Sequence, residues 1–140
     1  HRRAGPTILT PHPGEMARLC GKTAAEVQHA REAIATRFAA EFQCIVVLKG
    51  NGTLVALPGG QCYLNKTGGP GLAKAGSGDL LAGLIGGLLA QGLTPGDAAV
   101  CGVYLHGAAA DLCAARKSST GMLPHELTED LCSLLLSYGL

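Results

Sequence analysis

The sequence predicts an α/β layer fold, and three observations point there. CIVVLKG (44–50) is a continuous apolar, β-branched run, the pattern of a strand buried on both faces as in a parallel sheet. Segments with apolar residues at helical spacing lie on both sides of it. The order of elements is strand, helix, strands, then three helices, which suits helices layered on a sheet with one part missing.

Each element has its own signal. TILT (7–10) reads as a short strand ended by Pro11. PGEMARLCG (13–21) follows as a helix of one to two turns, with Pro13 near its start and Gly21 as its stop. Thr23 opens a longer helix, with Glu26 three residues on at the capping-box spacing. Val27, Ala30, Ile34, Phe38 and Phe42 share one face of that helix. After the buried strand, Asn51-Gly52 signals a hairpin. TLVAL (53–57) returns, PGG (58–60) turns again, and QCYLN (61–65) forms a third short strand, completing a meander. KTGGPGLAKAGSG (66–78) is a long glycine-rich loop. Three helices close the chain. One runs from Asp79 to Gln91 and stops at Gly92. The next starts at Thr94-Pro95 and runs to about Arg116, and the last runs from Pro124 to near Tyr138.

At 140 residues the chain is one domain's worth at most. Hydrophobic residues are 47% and charged residues 15%, which is too apolar for disorder. Aromatics are only 4%, so the core is built from Leu, Val, Ile and Ala. A net charge of +1 leaves no electrostatic footprint for nucleic acid. His1-Arg2-Arg3 reads as a solvated basic end. The six cysteines show no CxxC spacing and sit in apolar runs, as buried, reduced thiols of a cytoplasmic chain do. No signal peptide is visible, and the longest uncharged run (80–94) is too short and glycine-rich to span a bilayer. The chain starts with His1 rather than Met, as a part of a longer protein would.

The candidate chemistry centres on KAGSGDLLAG. A helix opening at Asp79 places Gly76, Ser77 and Gly78 at its N-terminal mouth, where backbone N–H groups lack internal partners and the dipole favours negative charge. That is an anion hole for a phosphate. Asp79 at the same mouth can take a hydroxyl proton as a general base, or serve only as a helix cap. The P-loop pattern is absent. GxGxxG fails at Leu81, and GxSxG fails because Ala75 and Asp79 flank the Ser77 neighbourhood. TPHPGE places His12 and Glu15 in a strand-to-helix turn, where α/β folds bind ligands. LKGNGT puts Lys49 at the end of the buried strand, which is also what a plain hairpin with a solvated Lys looks like. His106 and Asp111 share a helix but not a face, and read as packing or surface residues.

Taken together, TPHPGEMARL, VVLKGNGT, LNKTGGPGLAKAGSGDLLAG, GGLLAQGL and GVYLHGAAAD resemble the carboxy-terminal kinase-like domain of the NAD(P)H-hydrate dehydratases of the bacterial ADP-dependent type. These belong to the ribokinase-like superfamily. GSGD is shared across the superfamily, whereas TPHPGE is more specific to the dehydratases. The resemblance implies a ribokinase-like three-layer αβα sandwich with a mostly parallel central sheet. Residues 1–140 would be the carboxy-terminal part of one such domain. It implies a carbon–oxygen lyase that repairs hydrated NADH and NADPH. ADP (or ATP) phosphorylates the ring hydroxyl, and loss of phosphate gives NAD(P)H and AMP, with Mg²⁺ as cofactor. Asp79 would contact the substrate and take its proton, and His12 would contact the hydrated dinucleotide. Gly76, Ser77 and Gly78 would form the anion hole, with Gly78 beside the nucleotide. Lys49, Gly50, Asn51, Gly52 and Thr53 would line the nucleotide site, and no residue is assigned as a metal ligand. A homo-oligomer, by resemblance a tetramer, and a fused epimerase domain are the expected partners.

The sequence departs from that family in two ways. Where it often shows NPTGNPG, this chain has NKTGGPG, with Lys66 and Gly69 in place of Pro and Asn, so an amide near the phosphates is lost. Family domains are also about twice as long. The amino-terminal half would supply sheet strands and part of the substrate pocket. Two other readings stay open: a small-molecule kinase, such as a vitamin-precursor kinase, that stops at the phosphoester, and a half-domain without turnover.

Overall fold

A computed structural model describes residues 4–139, so the basic start His1-Arg2-Arg3 lies outside the described residues. The chain gathers into two compact units. The first comprises His1–Asn65 and Leu93–Val100, and the second Lys66–Gly92 and Cys101–Leu140.

The first unit is a four-stranded sheet in the order β1-β2-β3-β4, covered by helices. Its strands are β1 (Ile8–Leu9), β2 (Ile45–Leu48), β3 (Leu54–Ala56) and β4 (Cys62–Leu64), and its helices α1 (Pro13–Cys20), α2 (Ala24–His29) and α3 (Arg31–Phe42). β1 and β2 are parallel, with Ile8 opposite Ile45 and Leu9 opposite Val46. β3 pairs antiparallel with both β2 and β4. The sheet described here is therefore mixed rather than mostly parallel. Its one parallel pair is joined by helices, while the short turns on either side of β3 allow only antiparallel pairing.

Period-two alternation sorts the strands. Val46, Leu48, Leu54 and Ala56 pack with Met16, Ala17, Val27, Ala35, Phe38 and Ala39 from the helices. Val47 and Val55 face the other way and are also fully buried. β2 is thus covered on both faces, as its unbroken apolar run predicts.

One long helix was predicted from Thr23; the structure breaks it at Ala30 (φ −130°, ψ 42°). The Thr23–Glu26 capping box is present, and α2 packs on α1 while α3 packs on β2 and β3. The break redirects the chain between these two supports, with no Gly or Pro to announce it. Phe42 falls off the buried face and is exposed, its ring tilted by 32° against Phe38 with the centroids 4.3 Å apart.

The second unit holds α4 (Ser77–Ala90), the larger part of α5 (Pro95–Lys117) and α6 (Leu127–Ser137). Its core joins Ala109, Ala110, Cys113, Met122 and Leu127, with Leu72, Leu80 and Leu131 against them. The segment from Pro124 enters as one 3-10 turn before α6, held by Glu126, whose carboxylate accepts from the Leu123 N–H at 2.8 Å. α4 is apolar all round, yet only Ser77, Leu81 and Ile85 on it are buried. α5 is long and apolar enough to cross a membrane by length and composition, but 56% of that stretch is buried inside the protein.

The cysteines depart from expectation too. Cys44 and Cys113 are buried, Cys20 and Cys62 half-buried, and Cys101 and Cys132 exposed, all as free thiols. Apolar neighbours in sequence did not bury the last two, because each falls on the outer face of its helix.

Candidate functional site

In the first unit, β1 and β2 run parallel, so the residues that follow them emerge on the same side of the sheet. The Lys49 N–H donates to the Pro11 carbonyl at 2.9 Å, which brings TPHPGE and LKGNGT together. His12 is the N-cap of α1. Its Nδ1 accepts from the Gly14 and Glu15 N–H groups at 3.0 and 3.2 Å, and Glu15 Oε2 accepts from the His12 N–H at 2.6 Å. Because Nδ1 accepts, the ring proton sits on Nε2, which lies 3.4 Å from Glu15 Oε1. Lys49 Nζ stands 3.9 Å from Glu15 Oε2. The His12 N–H, and less strongly the Lys49 ammonium, hold the Glu15 carboxyl below its ordinary value against the opposing effect of burial.

Gly50, Asn51, Gly52 and Thr53 form the turn after Lys49. It is not the two-residue hairpin that Asn51-Gly52 suggested: positive φ falls at Gly50 (145°) and Gly52 (68°), within a five-residue connection. Arg31 reaches this turn from the start of α3. Its Nη2 donates to the Leu48 and Gly52 carbonyls at 3.1 and 2.9 Å, and its Nη1 to Lys49 O at 3.4 Å.

In the second unit, α4 starts at Ser77, two residues earlier than predicted. Gly76, at φ 88°, takes the N-cap position in the left-handed region that glycine enters freely. Ser77, Gly78 and Asp79 are therefore the first three helical residues. No side chain among the described residues caps α4. The Ser77 N–H turns back to Lys74 O at 3.3 Å. Gly76 and Asp79 are exposed, Gly78 is half-buried and Ser77 is buried. Ser77 Oγ lies 3.4 Å from Nε2 of the buried His106. Burial pushes His106 down to about 4, a hydrogen bond with Ser77 working the other way, so its imidazole is neutral near pH 7.

The glycine-rich loop before α4 is laced onto α5. Thr67 Oγ1 donates to Tyr104 O and the Gly68 N–H donates to Asp111 Oδ2, each at 2.9 Å. Gly107, on the same helix face, leaves room for Thr67, which any Cβ would strike. Lys74 Nζ donates to the carbonyls of Ser119, Thr120 and Met122 at 3.3, 2.7 and 2.5 Å. Sequence reasoning did not single out Arg31 or Lys74, and read Asp111 as a surface or packing residue. Only Gly50, which faces Arg31, and Gly68, whose N–H meets Asp111, carried any signal.

A family model described as NAD(P)H-hydrate dehydratase matches residues 1–133. This chain belongs to the NAD(P)H-hydrate dehydratase family. It is 54% identical over 127 residues to the bifunctional NAD(P)H-hydrate repair enzyme Nnr of Moorella thermoacetica, covering 91% of this chain and 24% of that protein. It is 47% identical over 130 residues to the ADP-dependent (S)-NAD(P)H-hydrate dehydratase of Bacillus subtilis, covering 93% of this chain and 47% of that one. A crystal structure of the Bacillus subtilis ADP/ATP-dependent NAD(P)H-hydrate dehydratase, co-crystallised with ATP/Mg²⁺ and soaked with CoA, superposes with a TM-score of 0.94 at 44% identity. The match covers 99% of this chain and 51% of that one. The chain thus spans about half or less of the length of these relatives. A ribokinase-like superfamily protein of Enterococcus faecalis also matches, with a TM-score of 0.81 at 30% identity over 99% of this chain and 47% of that one. The ribokinase-like α/β fold follows. Within the family's glycine loop, the two departing residues Lys66 and Gly69 are both exposed.

Proposed function

We propose that the protein carrying this chain dehydrates hydrated NADH and NADPH, with ADP (or ATP) as phosphoryl donor. Residues 1–140 are then the carboxy-terminal part of one kinase-like domain. The observation that carries the reading is the α4 mouth: a helix N-terminus that no side chain caps, opened by Gly76, with the exposed Asp79 in its first turn. Of the three expected anion-hole donors the Ser77 N–H is taken by Lys74 O, which leaves the backbone at Gly76 and Gly78 to meet the charge that develops on a transferring phosphoryl group. The Asp79 carboxylate accepts the proton of the substrate's ring hydroxyl. That oxygen attacks the terminal phosphorus of ADP, and the bond to AMP breaks. The ring nitrogen's electron pair then expels phosphate from the adjacent carbon, and loss of a proton from the next ring carbon to solvent forms the C=C double bond and returns the pair to nitrogen, giving NAD(P)H. In the first unit, His12 presents its Nε2 edge to the dinucleotide, and Lys49 to Thr53 line the nucleotide.

Among the described residues no three His, Cys, Asp or Glu side chains gather as a metal cage. Mg²⁺ keeps its waters and would be held mainly through nucleotide phosphates. When bound there it offsets phosphate charge. The same reading makes the protein cytoplasmic and a homo-oligomer, and a fused epimerase domain fits the bifunctional names of its relatives.

The test is product analysis with hydrated NADH and ADP. Recovery of nicotinamide absorbance at about 340 nm with release of AMP and phosphate is expected; a stable phosphoester overturns the dehydratase reading in favour of a kinase. Asp79→Asn is expected to cut kcat by about a thousandfold, with ADP affinity held within about twofold. Unaltered turnover removes Asp79 as the base.

A further inference from the structure

We propose that Arg31 is a positioning residue for phosphate binding, fixing the 49–53 turn so that its amides and one uncompensated positive charge serve the nucleotide. The inference rests on the reading of that turn as part of the nucleotide site.

The geometry is specific. One guanidinium spans three carbonyls, those of Leu48, Lys49 and Gly52, and also meets Gln28 Oε1 at 3.1 Å. No cis peptide occurs among the described residues. In a planar trans peptide the C=O and the following N–H point opposite ways. With the carbonyls of Lys49 and Gly52 turned toward Arg31, the N–H groups of Gly50 and Thr53 point away from it. The guanidinium thus aims two turn amides outward. Gly50 completes the fit. At φ 145° it is in a conformation that residues with a side chain rarely adopt, and a Cβ there would run into Arg31 Nη1.

The charge is the second half of the argument. Among the described residues Arg31 meets oxygen dipoles but no carboxylate. Burial alone lowers its pKa from the ordinary arginine value. A half-buried cation without a counter-charge is costly for the free protein, and an anionic phosphate over the turn offsets that cost. Lysine cannot replace it fully, since an ammonium donates from one point and lacks the planar fork whose two nitrogens reach four separate oxygens here.

The experiment uses the intact protein and ADP as the probe. Backbone amide resonances of residues 49–53 are followed on adding ADP to the unaltered protein. If they do not move, the nucleotide reading of the turn falls, and this inference with it. If they move, Arg31→Gln is expected to raise the ADP dissociation constant and the KM for ADP about tenfold, with a smaller change in kcat. Arg31→Lys is expected to recover part of that loss. A folded Arg31→Gln protein whose ADP affinity stays within about twofold overturns the inference, as does one in which only kcat and melting temperature fall. If Arg31→Gln does not fold, the same criteria apply to Arg31→Lys.

Discussion

The N-termini of α1 and α4 are built from similar ingredients and end in opposite states. Each follows a turn containing glycine or proline, and each has an acid in its first turn, Glu15 and Asp79. At α1 the chain fills its own mouth: the His12 ring takes two amides, and Glu15 reaches back to the His12 N–H. At α4 the N-cap is Gly76, which has nothing to offer, and Asp79 stays exposed. A helix dipole is available to a ligand only where the chain leaves it unspent. An acid at the third helical position is a brace in α1 and, on the function proposed above, would be a reagent in α4.

This contrast can be sharpened by experiments of decreasing size. The largest stability effect comes from His106, which backs Ser77 at the α4 mouth. Its pKa falls from 6.5 to about 4 on folding, so the native state holds fewer protons than the unfolded chain between those values. Stability contributed by the neutral ring is complete above pH 6.5 and is lost as pH falls toward 4. That loss amounts to roughly 3 kcal/mol. Denaturant melts across this window should show the slope, and His106→Gln should flatten it. An unchanged slope would mean that the ring is not buried in the folded protein.

Next is Gly76→Ala. Forcing a Cβ into φ 88° costs about 1–2 kcal/mol. By crowding the open mouth it should also weaken ADP binding, measurable by calorimetry. If affinity is retained while stability drops, the mouth is not the anion site. The smallest effect is at the closed end. His12→Ala should destabilise the protein by about 1 kcal/mol through loss of the cap, while His12→Ser should restore most of that. If His12 also contacts the dinucleotide, the Ser variant remains impaired in KM for the hydrate although its melting temperature recovers. Equal recovery of both would leave His12 a cap alone.

Much of the fold was legible because local signals agreed with tertiary need. Pro13 and Gly21 bound α1, Thr23 and Glu26 open α2, and the run from Cys44 to Leu48 is buried throughout. The failures come from forces that a sequence window does not contain. Ala30 breaks a helix because α1 and the sheet pull its two halves onto different supports. α4 reads as buried because every residue after Asp79 is apolar, but nothing lies within 4 Å of where a side chain would begin at Gly83, Gly86 or Gly87. Of the candidate site, the glycines and Asp79 were visible as a motif. Arg31 and Asp111 were not, since a single charge on a helix looks solvated until the loop 17 to 43 residues away folds against it.

The ammonium of Lys74 has a last consequence. Each of its three hydrogens is taken by a carbonyl of the 119–122 segment. An amine so engaged is shielded, because a reagent reaches it only after those bonds are surrendered. In a map of amine reactivity along the chain, Lys74 would be the silent lysine beside a reactive Lys66. The lysine that leads into the glycine motif is thus spent as mortar, and the electrophile reaches the exposed Lys66 first.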